Sequence, residues 1–291
     1  MSGEKRRHST VVVMAQNRRR TRERELRRAR EMARSRARAR KKAVLRRAVI
    51  GGLALIMVLA GGIGLFNTKG TPTTSSSTTS TVAGTTTTIN AKYGHLQALA
   101  DQAAVRAGCP NDPYTRVNTM SWGVQPAMSL LHGVAYFAKV FTTAGDFTIR
   151  LNPSAPLTVN NFVFLAQHNF YHCVIFQRVI PGFVVQGGDP TGTGNGGPGY
   201  EFSDELPKTT PGKPTYPLYS VAMANLGIPN SNGSQFFIVV GKKGETLADK
   251  YSLFGEVVAG MNVVARIARE GQPSGQPLVI NRVLNITITH G

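Results

Sequence analysis

From residue 133 to the C-terminus, apolar and polar positions alternate in short runs broken by Gly, Asn, Asp and Pro, the pattern of half-buried strands separated by tight turns. Residues 134–143 and 147–151, joined across Ala144-Gly145-Asp146, read as a hairpin with alternating faces. Further strand-like runs occupy residues 174–179, 183–187, 220–224, 235–240, 252–258 and 278–289. Two stretches switch to helical spacing. Pro156 opens one, in which Val159, Phe162, Val163 and Ala166 recur along residues 157–169, and residues 261–269 form the other. Many short strands with two helices predict a mainly β fold, a closed barrel or a sandwich, over a parallel α/β sheet.

The chain before this region carries different patterns. Residues 92–108 place Leu96, Leu99, Ala100, Ala103 and Ala104 at helical spacing and stop at Gly108, which predicts a short amphipathic helix. Residues 109–133 hold no period and several turn signals, as expected of an irregular segment laid on the domain. Residues 67–90 are mostly Thr and Ser, with too little apolar surface to offset the entropy of ordering, and read as a flexible spacer. Residues 48–66 are uncharged throughout. As a helix they would span roughly 28 Å, enough to cross a bilayer once. A cleaved signal peptide is the rival reading, but its basic and apolar regions are normally shorter.

Charge sharpens this division into a basic arm (1–47), a transmembrane helix (48–66), a linker (67–90), a helix with an irregular segment (91–133) and a globular domain (134–291). The net charge is +19, and 19 of the 34 Lys and Arg precede Ala48. A basic arm abutting an apolar run orients a membrane span with its N-terminus in the cytoplasm, so the domain is expected outside it, on a single-pass anchor in the cell membrane. Anionic lipid is the expected contact of the arm, ahead of nucleic acid. The scattered histidines, and two cysteines without ligand spacing, predict no metal and no cofactor. Cys109 and Cys173 could form one bridge or none; an oxidising compartment makes a bridge possible.

Three blocks carry a more specific signal: F-Q-R-V-I-P-G-F-V-V-Q-G-G-D at 176–189, A-M-A-N at 222–225 with N-G-S-Q-F-F-I at 232–238, and F-G-E-V at 254–257. In this order and spacing they resemble the cyclophilin family of peptidyl-prolyl isomerases, in its bacterial membrane-anchored form, over residues 133–291. N-P-S-A-P at 152–156, G-T-G-N-G-G at 192–197 and G-M-N-V-V at 260–264 agree with it. The resemblance implies a closed eight-stranded antiparallel barrel capped by two helices. It also implies roles: Arg178 as the catalytic arginine, Gln186 as the residue that orients it, and Phe183, Val184, Phe237 and Leu247 as the lining of a proline pocket. Gln235 becomes a polar wall, Ala224 and Asn225 the strand edge that holds an extended substrate, and Gly194 part of the loop beside it.

Rotating an X-Pro bond requires no nucleophile or metal. It must overcome a barrier of ~18–20 kcal/mol set by C–N double-bond character, which calls for a slot for the ring and donors aimed at the twisting amide. The partners implied are Pro-containing polypeptides, in exported or cell-surface proteins; a non-catalytic module holding such segments in the same groove is the alternative. Thr246 stands where the family commonly has tryptophan and Tyr251 where histidine is common. Both edge the pocket, and Thr246 predicts weak cyclosporin binding. Strand alternation sends Phe236 into the core and Phe237 towards the pocket.

Overall fold

A computed structural model describes residues 83–291. The basic arm, the apolar run 48–66 and the spacer up to residue 82 lie outside the described residues, and so does the transmembrane reading. Among the described residues no helix is long and apolar enough to cross a membrane.

Helix α1 (Ala83–Arg106) comes first, followed by an irregular segment, the hairpin β1 (Tyr136–Thr142) and β2 (Gly145–Leu151), and α2 (Pro156–Gln167). Then come β3 (Arg178–Ile180), β4 (Val184–Gly187), β5 (Ser220–Met223), β6 (Phe236–Val239), the short α3 (Lys242–Glu245), β7 (Leu253–Ala259), α4 (Met261–Arg269) and β8 (Val283–His290). The strands form one antiparallel sheet in the order β3-β4-β6-β5-β7-β2-β1-β8. Inward residues of β6 and β7 meet α2, whose Phe162 lies 5.2 Å from Phe254 and 5.7 Å, edge-on, from Phe236. Such aromatic contacts add to the area they bury and fix the helix in its socket.

The two edge strands do not share a ladder, so the closed barrel expected from the sequence is corrected to an eight-stranded sheet with a stitched seam. Cys173 N donates to Val283 O at 2.7 Å, Val283 N to Val174 O at 2.8 Å and Phe176 N to Asn281 O at 3.0 Å. Residues 174–177, the first part of the run 174–179 read as strand, fill this seam with one bridge at Ile175. An apolar run of that length signals burial and says nothing of pairing. Residues 278–282, also read as strand, wrap the end of α4 instead: Leu278 N donates to Glu270 O at 2.6 Å and Asn281 Nδ2 to Glu270 Oε2 at 2.6 Å.

Helix α1 starts at Ala83, inside the stretch whose composition reads as spacer. Helix propagation is cheap once a nucleus exists, and α1 has one in its second half. Ala100 and Ala104 are buried against the domain, while Leu99, expected on that face, is exposed. Gln97 Oε1 accepts from Ile280 N at 2.7 Å, and the buried Arg282 pairs with Asp101 at 3.0 Å. Arg282 also donates to the carbonyls of Pro110 and Asn111. Cys109 and Cys173, left open by the sequence, are bonded, with their Cα atoms 5.5 Å apart.

Candidate active site

The register of four strands sets the site. Arg178 on β3 faces Gln186 on β4, Gln186 faces Phe237 on β6, and Phe237 faces Ala222 on β5. Residues opposite one another across a sheet present their side chains to the same side, so a cation, an amide, an aromatic ring and a small residue form one row on the outer face. Alternation along β4 and β6 supplies neighbours for the row. Val185, Phe236 and Ile238 point into the main core, while Val184, Phe237 and Val239 join a second apolar cluster outside it. That cluster gathers Tyr216 and Ala222, with Phe183, Ala224, Leu247, Tyr251 and Leu253 partly exposed around it. The result is an apolar depression with Arg178 at one margin.

Arg178 is held from two sides. Its guanidinium lies over the Phe183 ring, 5.4 Å from the centroid, and Nη1 donates to Gln186 Oε1 at 3.4 Å. Loss of hydration in this setting lowers the arginine pKa, with Tyr251 nearby acting in the opposite sense; an arginine so placed remains charged in neutral water.

Behind Gln186 runs a chain of amides. Gln186 Nε2 donates to Gln235 Oε1 at 3.1 Å, and Gln177 Nε2 donates to the same oxygen at 2.9 Å. Gln235 Nε2 in turn donates to the carbonyls of Gly194 at 2.9 Å and Gly196 at 3.0 Å. The loop that offers those carbonyls closes around the buried Asp189, whose carboxylate accepts from the N–H groups of Thr191, Gly194 and Gly196 at 2.7, 2.6 and 3.0 Å. A Cβ at residue 196 would lie 1.9 Å from an Asp189 oxygen, so only glycine fits there. Gln177 Oε1 is left without a partner among the described residues, but the four bonds through Gln235 hold the amides together and fix the direction of Gln186.

On the far side of the depression, Ala224 N donates to Gln235 O at 2.9 Å. The Asn225 side chain donates to Lys250 O at 2.8 Å, bracing the neighbouring loop. Among the described residues, the N–H and C=O of Asn225 have no partner within the chain. An extended peptide could add there as a short strand.

Of the residues singled out in the sequence, Arg178, Phe183, Val184, Gln186, Ala224, Asn225, Gln235, Phe237, Leu247 and Tyr251 converge on this depression, and Gly194 reaches it through its carbonyl. Thr246, beside Leu247, ends α3 exposed, with its hydroxyl donating to Lys243 O at 3.0 Å. Two residues went unassigned by sequence reasoning. Asp189 closes the quoted block without a role in it, although an acid before a Gly-rich run is a turn signal. Tyr216 lies in a stretch with no periodic pattern, yet it is fully buried. Its hydroxyl donates to Tyr251 O at 3.0 Å and accepts from Tyr251 N at 3.0 Å, while burial raises its pKa to about 12.

Cys109, His172 and Cys173 come within 4.8 Å of one another elsewhere, but the two sulfurs are bonded together and His172 Nδ1 contacts Leu284 O at 2.6 Å. A cavity of about 970 Å³ also lies apart, between residues 128–136 and strands β2, β5 and β7, and meets the depression only at Leu253.

Residues 137–288 match the cyclophilin type peptidyl-prolyl cis-trans isomerase family. Peptidyl-prolyl cis-trans isomerase A of Mycobacterium tuberculosis is 42% identical over 170 residues, covering 50% of this chain and 90% of that protein. Peptidyl-prolyl cis-trans isomerase-like 1 of Aspergillus fumigatus is 47% identical over 130 residues, covering 43% of this chain and 78% of that protein. A crystal structure of a cyclophilin type isomerase from Cryptosporidium parvum, 31% identical, covers 53% of this chain and 98% of its own with a TM-score of 0.48. With half of its length matched to the family and its relatives matched over most of theirs, the chain belongs to the cyclophilin type of peptidyl-prolyl cis-trans isomerases.

Proposed function

We propose that the Arg178 row is the reacting centre of this isomerase, working on X-Pro bonds of exported or cell-surface proteins from a membrane tether. The observation that carries the reading is a single one: a guanidinium, aimed by Gln186 and Phe183, at the rim of the apolar cluster of Val184, Phe237 and their partly exposed neighbours. The pyrrolidine ring seats against Phe183, Val184, Phe237 and Leu247, and the substrate backbone pairs along Ala224 and Asn225. Arg178 then donates to the prolyl carbonyl and approaches the prolyl nitrogen as the bond twists. Donors that strengthen their hold as resonance is lost favour the twisted state over the planar one. No bond is made or broken, so the remaining residues only bind and orient.

Two features support a location outside the cytoplasm: the basic arm before an uncharged run, and a bonded Cys109–Cys173 pair, which is rare where thiols are kept reduced. With threonine at 246, where the family commonly has tryptophan, cyclosporin has one aromatic wall fewer to pack on, and inhibition is expected to be weak.

The test is isomerisation of an X-Pro peptide by the full chain, followed alongside binding of the same peptide. Acceleration at substoichiometric protein supports the reading. Binding without acceleration would replace it with a module that merely holds Pro-containing segments.

A further inference from the structure

The match to the family begins at residue 137, and residues 109–122 precede it, yet this segment reaches the loop at 192–196, after β4, and the loop at 272–276, after α4. Tyr114 is its point of contact. The ring edge faces Gly192, Cδ1 standing 3.8 Å from where a Cβ would be, and the hydroxyl accepts from Gln276 Nε2 at 3.3 Å. Gly192 opens the loop whose carbonyls hold Gln235. Gln276 adjoins Gly275, whose carbonyl accepts from Val179 N at 2.8 Å and whose backbone packs on the Arg178 stem, a Cβ there falling 3.2 Å from Cγ. One aromatic side chain therefore joins the two supports of Arg178. Further along, Trp122 N donates to Pro198 O at 2.8 Å at the far end of the same loop.

The segment is itself anchored. Cys109 is bonded to Cys173, Asn118 Nδ2 donates to Phe170 O at 2.8 Å, and Trp122 packs edge-on to Phe164 with centroids 5.1 Å apart. Asp112 sets the approach of Tyr114, accepting from its N–H at 3.0 Å and from Thr115 Oγ1 at 3.1 Å.

We infer that residues 109–122 are a positioning element of the isomerase site, in which Tyr114 keeps the 192–196 and 272–276 loops in register with Arg178 and the disulfide keeps Tyr114 in place. The inference rests on the reading of Arg178 as the reacting group. Tyr114 is no part of the apolar depression, so its removal should leave substrate binding intact and misalign the donor, and small misplacements are felt in the rate.

The experiment uses the full chain with Tyr114→Ala, Tyr114→Phe, Cys109→Ser/Cys173→Ser and the combination of Tyr114→Ala with the cysteine pair. Tyr114→Ala is expected to lower kcat about five- to tenfold with KM within about twofold, and to speed deuterium uptake in residues 189–200. Tyr114→Phe keeps the ring beside Gly192 and loses the hydroxyl bond to Gln276, so it should restore the uptake in residues 189–200 and recover the rate only in part. The cysteine variant should reproduce the defect, and the combination should add little, because both changes act on one unit. Unchanged uptake in a folded Tyr114→Ala protein, or a change confined to KM, overturns the inference. A parent protein without isomerase activity would instead sink the reading of Arg178, and the uptake comparison would still decide whether Tyr114 holds the loop.

Discussion

At the scale of single residues, one cation, Arg178, is aimed by a chain of amides. Gln235 is the centre of that arrangement, with Gln177, Gln186 and the carbonyls of Gly194 and Gly196 around it. Replacing it by alanine leaves four partly buried partners short of a hydrogen bond, a loss of about 1–3 kcal/mol in stability. Gln235→Ala should also lower turnover about tenfold through the freed Gln186, read from thermal melting and isomerisation rates on one preparation. Tyr216 makes a separate prediction about pH. Burial raises its pKa from 10.0 to about 12, so between those values the unfolded chain has lost the phenolic proton and the folded one retains it. Stability is then fully present below pH 10 and falls as pH rises towards about 12. Burial raises Tyr171 and Tyr200 as well. Denaturant titrations at about pH 8 and about pH 11 should differ accordingly, and less so in Tyr216→Phe; equal midpoints would contradict the assignment.

Among the elements, the regular strands were legible where one face is buried and the other is not. The β1–β2 hairpin and the split between Phe236 and Phe237 follow from period-two alternation alone. Legibility fails where burial comes without pairing, as in residues 174–177 along the seam, and where structure is too short for any period, as in the four residues of α3. The Gln chain and the Asp189 loop were equally hidden, since their partners come together only after β4 and β6 pair. Tyr216 was hidden because no pattern surrounds it. The segment before the barrel is tied in by the Cys109–Cys173 bond, which closes a separation of 64 residues. A loop of that length corresponds to on the order of 4 kcal/mol of stabilisation through the unfolded chain. Reduction, or Cys109→Ser with Cys173→Ser, should lower the melting temperature by roughly ten degrees. A shift of a degree or less would mean that Arg282, Asp101 and Asn118 hold the segment by themselves.

For the whole molecule, the family blocks identified the activity, and the composition of the first 90 residues shaped the expectation of a tether. Protease added to intact cells or spheroplasts tests that tether: the isomerase domain should be cleaved while a cytoplasmic marker survives, and protection of both would reverse the proposed topology. The central claim is the role of Arg178, and the most direct measurement is the isomerisation rate of one X-Pro peptide with the full chain and with Arg178→Ala. The side chain is exposed at its rim and meets Phe183, Gln186 and the backbone at Gly275, so the variant should fold and bind peptide much as the parent does. Removal of one aimed donor predicts a fall in kcat on the order of 10²-fold, whereas a folded Arg178→Ala protein within about twofold of the parent rate would contradict the account.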